Sequence, residues 1–181
     1  FIKDKNKFFY PKNDHQFIDF EKTIEEISRQ LSVPDLIVKE RLKEFTPPPH
    51  RLEVKKINQN LIILDDTYNS NPLGFQKALE KLKSYKGYQK VVVTPGMIEL
   101  GLKQFDLNKQ IAFKTASLAD IFVIVGQTNR KSLEAGVKKA NKKNLKAFFI
   151  NKDENFEEKI TPFLKPPVVI LLENDLPDHY L

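Results

Sequence analysis

Five short runs of apolar, largely β-branched or aromatic residues punctuate this chain: Leu61–Leu64, Val91–Val93, Ile121–Val125, Ala147–Ile150 and Val168–Leu172. None of them alternates with polar residues, so each reads as a strand buried on both faces. The stretches between them carry apolar residues at helical spacing. Phe75, Ala78, Leu79 and Leu82 mark one helix face, and Leu107, Ile111 and Phe113 fall in a second helix from about 104 to 117. Leu133, Gly136, Val137 and Ala140 stripe a third, and Phe156, Ile160, Phe163 and Leu164 a fourth. Strands joined by helical crossovers run parallel, so the expected class is α/β: a Rossmann-like, mostly parallel sheet with helices on both faces. Ahead of the first run, Leu52-Glu53-Val54-Lys55-Lys56-Ile57 alternates loosely and Asn58-Gln59-Asn60 supplies a hairpin turn. That adds one antiparallel edge strand.

Residues 1–46 follow a different pattern. Phe20, Ile24, Ile27 and Leu31 recur at helical spacing, and Ile37, Val38, Leu42 and Phe45 mark a second helix after Val33-Pro34-Asp35. Pro47-Pro48-Pro49 then stops the helix and favours a stiff, extended connection. The expected division is a short helical segment over 1–46, forming the tail of a preceding domain, and an α/β domain over 47–181. The chain opens on Phe1-Ile2 rather than Met, and is expected to be a piece of something longer.

Composition narrows the function classes. The 30 Lys and Arg exceed the 24 Asp and Glu by 6, which permits an anionic partner. The lysines are scattered, as in Lys138-Lys139 and Lys142-Lys143, with no Arg-rich block or aromatic-interleaved basic stripe. They read as a solvated surface, and no nucleic-acid partner is expected. Cysteine is absent, which excludes disulfides and thiolate metal sites. No apolar run approaches the roughly 20 residues that span a bilayer, so no membrane insertion is expected.

The chemistry-bearing stretch is Leu61-Ile62-Ile63-Leu64-Asp65-Asp66-Thr67-Tyr68-Asn69-Ser70-Asn71-Pro72. A buried strand ends in two carboxylates and a run of hydroxyl and amide side chains. In open α/β sheets the carboxyl edge of the strands is where ligands bind. An Asx-rich turn capping the next helix is the plainer alternative. Thr94–Gly101 and Gly126–Arg130 follow later strands, so all three clusters should share that edge. Asp carboxylates suit sugar hydroxyls or a hydrated divalent cation, and the Arg51 guanidinium suits phosphate.

Several signatures are missing. Gly96-Met97-Ile98-Glu99-Leu100-Gly101 has the glycine spacing of a phosphate loop, but Leu102-Lys103 stands where Lys-Ser/Thr is required. The stretch reads instead as a strand-to-helix turn whose backbone approaches a neighbour closely. No GxGxxG or GxSxG occurs, and His15, His50 and His179 are too dispersed for a metal trio. No metal ligand and no certain catalytic residue is assigned. The closing Leu172–Tyr180 stretch is polar and expected to cap the sheet edge.

Taken together, Pro47–Val54, the Leu64-Asp65-Asp66-Thr67-Tyr68-Asn69-Ser70-Asn71-Pro72 stretch and Thr94–Gly101 resemble the carboxyl-terminal domain of the Mur ligases. The resemblance covers about residues 35 to 181. It points to the branch that joins D-alanyl-D-alanine to UDP-N-acetylmuramoyl-tripeptide in peptidoglycan synthesis. It implies a cytoplasmic, ATP- and Mg²⁺-dependent ligase that forms an acyl phosphate, attacked by the amine of the dipeptide. In that family a central domain carries the phosphate loop and most magnesium ligands, and the carboxyl-terminal domain closes over it.

Carried onto this sequence, the resemblance implies that Arg51 reaches the nucleotide phosphates. Asp66 accepts from the ribose or orients the nucleotide. Tyr68, Asn69, Ser70 and Asn71 form the loop that meets the dipeptide. The chain itself lacks the phosphate loop, so alone it is expected to be an inactive, monomeric lid. A ligase that adds glutamate to folate, with a similar carboxyl domain, is an alternative, as is a non-enzymatic α/β module binding an anionic partner.

Overall fold

The computed structural model describes residues 3–4, 7–8, 20–44, 48–151 and 153–175. His15, Phe45, Pro47, His179 and the closing Leu176–Tyr180 segment lie outside the described residues. Two compact units are present, Phe1–Pro47 and Pro48–Leu181.

In the first unit, the two-residue strands β1 (Lys3–Asp4) and β2 (Lys7–Phe8) pair antiparallel. Helix α1 spans Phe20–Gln30 and α2 spans Asp35–Glu44. Asp35 in the first turn and Arg41 and Lys43 in the last complement the α2 dipole. Val38 is buried, while Leu31, Leu36 and Ile37 remain exposed.

The second unit contains a six-stranded sheet. Its elements run β3 (Glu53–Asn58), β4 (Leu61–Asp66), α3 (Pro72–Ser84), β5 (Gln89–Thr94), α4 (Gln104–Leu118), β6 (Ile121–Val125), α5 (Arg130–Ala140), β7 (Lys146–Ile150), α6 (Phe156–Ile160) and β8 (Val168–Glu173). The strand order is β3-β4-β8-β5-β6-β7. Only the β3–β4 pair is antiparallel; the other four are parallel. The crossovers through α3, α4 and α5 progress in one direction across the sheet, and right-handedness places those helices on the same face. The return crossover from β7 to β8 reverses direction, so α6 covers the other face.

Two cores result. Ile62, Leu64, Val92, Phe122, Ile124, Val169 and Leu171 meet Phe75, Leu79, Leu82, Ile111 and Leu133 on the three-helix face. Val91, Val93, Ile121, Val123, Val168 and Ile170 meet Ile160 and the partly buried Phe156, Phe163 and Leu164 on the other. The second layer is thinner, but it accounts for the uninterrupted apolar runs. Edge strand β3 carries Glu53, Lys55 and Lys56, charges that discourage pairing with a further strand. Phe113, read as one of the apolar residues of α4, is 37% exposed and lies beneath the Lys139 ammonium instead of in the core.

Gly136 sets the contact between α4 and α5. A Cβ there would collide with the Lys109 carbonyl and lie 2.5 Å from Ala112 Cβ. Glycine costs helix propensity at an internal position, and here it allows the two helices to approach.

Candidate functional site

Strand alternation sends Asp65 and Asp66 to opposite faces at the carboxyl end of β4. Each carboxylate then fastens a different part of the segment that enters the sheet. Asp65, 5% exposed, lies 2.9 Å from His50 Nδ1 and accepts from Lys55 Nζ at 2.5 Å and Thr67 Oγ1 at 2.8 Å. Burial pushes its carboxyl up, but the hydrogen bonds from Lys55, Thr67 and His50 prevail and hold it at about 2. Asp66 accepts from the Leu52 amide at 2.9 Å. Burial raises Asp66 above the ordinary carboxylate range, while the Leu52 amide and the Arg51 charge oppose that rise.

Arg51 therefore lies between two pinned neighbours. His50 and Leu52 both adopt the left-handed region, with φ of 61° and 52°. Such conformations cost on the order of 1–3 kcal/mol for non-glycine residues and persist only where surrounding contacts over-determine them. Those contacts are His50–Asp65, Leu52–Asp66, and the Tyr68 amide donating to the His50 carbonyl at 3.2 Å. The exposed Arg51 side chain lies over the Tyr68 ring, Cζ 4.2 Å from the centroid. Arg51, Asp66 and Tyr68, far apart in type and partly in sequence, are thus brought to one place.

The remaining residues of the loop divide by role. Asn69 is exposed. Asn71 caps α3, its Oδ1 accepting from the Leu73 and Gly74 amides at 3.1 and 2.9 Å, with Pro72 in the first turn. Ser70 is buried and donates to Glu173 Oε1 at 2.6 Å. The Asn71 and Ser70 side chains thus hold the loop in shape, Ser70 from within and Asn71 from an exposed position, and Tyr68 and Asn69 are exposed beside them.

Three amides join the edge clusters: Asn129 of the Gly126–Arg130 cluster, Asn174 of the stretch expected to cap the sheet edge, and Asn108, to which sequence reasoning gave no site role. Asn174, with φ of 64°, donates from its backbone to the Asp66 carbonyl at 3.0 Å and from Nδ2 to the Gly96 carbonyl at 2.6 Å. Asn108, fully buried in α4, accepts from the Met97 amide and donates to the Met97 carbonyl, both at 2.8 Å. It also donates to Asn129 Oδ1 at 3.2 Å, and Asn129 donates to the Pro95 carbonyl at 3.0 Å. Gly96 sits inside this network at φ +82°, where a Cβ would lie 2.7 Å from Asn108 Oδ1. The expected close backbone approach is therefore present at Gly96. One signal for Asn108 was available: it shares a stripe with Ile111, Ala112 and Thr115, all buried.

Farther along the same edge, Gly101, Gln104, Phe105, Gln127, Arg130 and Lys131 help to line an open cleft of about 810 Å³. The cleft lies beyond β5 and β6, away from the Arg51–Asp66 cluster at β4. The three clusters thus share one hydrogen-bonded edge, as expected, with the cleft and the Arg51–Asp66 cluster at separate places along it.

Among the described residues, one group has the types to hold a metal ion: His50, Glu53 and Asp65. Lys55 Nζ already lies 2.5 Å from Asp65 and 3.5 Å from Glu53. That ammonium supplies the compensating charge, so the group does not fit a divalent cation. No helix among the described residues is long and apolar enough to cross a membrane.

The sequence model of the family described as "Mur ligase, glutamate ligase domain" matches residues 50–173. Two curated relatives bear the name UDP-N-acetylmuramoyl-tripeptide–D-alanyl-D-alanine ligase. One, from Buchnera aphidicola subsp. Baizongia pistaciae, is 26% identical over 148 residues, covering 81% of this chain and 30% of the relative. The other, from Buchnera aphidicola subsp. Acyrthosiphon pisum, is 30% identical over 125 residues, covering 67% and 27%. The fold is similar to that of MurF from Acinetobacter baumannii, with a TM-score of 0.64 at 22% identity over 82% of this chain and 31% of that one. MurF ligase from Thermotoga maritima, solved in complex with ADP, gives 0.59 at 21% identity over 82% and 32%. The chain spans about 30% of the length of the curated relatives it matches.

Proposed function

The chain belongs to the Mur ligase family through its glutamate ligase domain, and from that premise we propose that it is the closing domain of an ATP-dependent ligase of peptidoglycan precursors. In this reading a P-loop domain holds ATP and Mg²⁺. This chain then closes over the nucleotide with Arg51 toward the phosphates and Asp66 toward the ribose. Tyr68 and Asn69 face the incoming amine, with Ser70 and Asn71 keeping their loop in shape. The acceptor is D-alanyl-D-alanine and the acyl donor UDP-N-acetylmuramoyl-tripeptide, in keeping with the names of both curated relatives. Residues 1–46 are read as the end of the ATP-binding domain, and the chain as a cytoplasmic monomer when isolated.

The observation that carries this reading is the clamp on Arg51. Two adjacent carboxylates hold His50 and Leu52 in left-handed conformations, and the guanidinium between them is exposed. A fold has little reason to keep two such residues unless the group between them needs a fixed direction. A cation aimed from a rigid edge suits phosphoryl transfer, where positioning and charge stabilisation supply most of the catalysis. Magnesium would neutralise the transferring phosphoryl oxygens when bound, and among the described residues the one group of suitable types, His50, Glu53 and Asp65, already holds the Lys55 ammonium.

The test is a fusion of residues 47–181 to the part of one curated relative that precedes its matching segment. With ATP, UDP-N-acetylmuramoyl-tripeptide and D-alanyl-D-alanine, the fusion is expected to release phosphate in step with amide product. Arg51→Ala and Asp66→Ala should each abolish it. Undiminished turnover by both variants would contradict the proposed roles.

A further inference from the structure

Glu173 ends β8, the strand between β4 and β5, and is 0% exposed. It is the register partner of Asp66 in the parallel β4–β8 pair, so the two side chains emerge side by side on the three-helix face. Ser70 donates to Oε1, and Oε2 is buried with no hydrogen-bond donor from the protein. A fully buried carboxylate with one donor would be costly, and a second carboxylate beside it makes full ionisation of both worse. The arrangement resolves if the pair shares one proton.

The surroundings say which residue carries it. Burial raises Asp66 too, but Asp66 is only half-buried where Glu173 is fully buried, and the Leu52 amide and the Arg51 charge favour its ionised form. Asp65, its other charged neighbour, acts in the opposite sense. Among the described residues, the polar side-chain partners of Glu173 are the Ser70 hydroxyl and the Asp66 carboxyl. Burial first, and the Asp66 charge after it, push Glu173 up to about 9.

We propose that Glu173 is a positioning residue: in its carboxylic-acid form it donates a hydrogen bond to Asp66, fixing that carboxylate together with the Leu52 amide. Ser70 braces Glu173 from the loop side. The inference rests on the reading of Asp66 as the group that meets the nucleotide sugar. An Asp66 carboxylate gripped by two donors keeps one negative charge and one orientation, with lone pairs left for hydroxyls at the sheet edge. This gives Ser70, assigned to the ligand loop from sequence, an indirect part in the same site.

The decisive measurement is side-chain carboxyl ¹³C NMR of the 181-residue chain across neutral and alkaline pH. The Glu173 signal should stay at the position of a protonated acid at pH 7 and titrate near 9. In Asp66→Asn its midpoint should fall, because the neighbouring charge is gone. A Glu173 carboxyl ionised at pH 7 overturns the proposal. Binding of MgATP supplies the second arm. Glu173→Gln, which keeps an N–H donor, should bind like the unaltered chain, and Glu173→Leu should raise Kd about tenfold, the loss expected for a hydrogen bond to a charged group. Equal Kd for the Gln and Leu variants, while Asp66→Ala weakens binding, overturns the positioning role. If Asp66→Ala leaves binding unchanged, the reading of Asp66 fails on its own, and the NMR still decides where the proton resides.

Discussion

The Arg51 guanidinium lies over the Tyr68 ring, its Cζ 4.2 Å from the centroid, and the Tyr68 amide donates to the carbonyl of His50, next to Arg51. The loop and the segment entering the sheet thus hold each other twice, once through backbone and once through side chains. Both side chains are solvent-facing, so the stacking contributes only about 0.5–1 kcal/mol. Arg51→Ala should therefore change thermal stability little, and weaken MgATP binding by about tenfold, as loss of a charge-assisted contact does. Calorimetry on the variant separates the two: a large fall in melting temperature with unchanged affinity would make Arg51 structural. Arg51→Lys should recover only part of the affinity, because an ammonium lacks the planar fork.

Asp65 and Glu173 give the chain opposite pH dependences. Asp65 is lowered from its ordinary 3.8 to about 2, so the stability it contributes is present above 3.8 and is lost as pH falls through about 2. Glu173 is raised from 4.5 to about 9, so the folded state holds a proton that the unfolded chain has released. Stability then declines as pH rises through that window. Urea denaturation at pH 6 and pH 9 should show this decline in the unaltered chain. Glu173→Gln should flatten it; an equally steep decline in that variant would assign the effect elsewhere.

Asn108 holds both polar groups of the Met97 backbone from inside the core. Asn108→Ala leaves the Met97 amide and carbonyl buried and unmatched, and should cost about 2–4 kcal/mol. The loop from Thr94 to Gly101 should loosen with it. Hydrogen exchange at Gly96 and Met97 checks this: unchanged protection in the variant would mean the loop is held by other contacts.

Gly136→Ala tests the close approach of α4 and α5. Helix propensity alone favours alanine by about 1 kcal/mol. Forcing a methyl group against the Lys109 carbonyl and Ala112 costs about 1–3 kcal/mol. The net change should be destabilising, and a rise in melting temperature would show that the helices separate without penalty.

The architecture was legible because both faces of the sheet are covered, so its strands appear as uninterrupted apolar runs such as Val91–Val93 and Ile121–Val125. Arg51 and Asp66 stood out because their residue types suit phosphate and sugar at a strand end, and the structure brings them together through the Leu52 amide. Glu173 was not assigned a site, since its importance comes from register with Asp66, a relation between strands 107 positions apart in sequence. Asn129, within Gly126–Arg130, and Asn174, in the stretch expected to cap the sheet edge, were noticed without their partners, and Asn108 was missed, for a related reason. Each satisfies backbone groups of a distant loop, and a lone amide in a helix or turn carries no mark of its partner. Ser70 and Asn71 were placed in the ligand loop by the resemblance, while the residue types alone left a helix cap open; the structure gives Asn71 that cap and Ser70 a buried bond to Glu173.

The central claim, that the carboxyl end of β4 is where this domain meets nucleotide, is tested most directly by amide NMR of the ¹⁵N-labelled chain titrated with MgATP. The account predicts shift changes concentrated at Arg51, Leu52, Asp66 and Tyr68, and their loss in Asp66→Ala. Changes confined to residues 127–134, with the end of β4 unmoved at saturating MgATP, would contradict it.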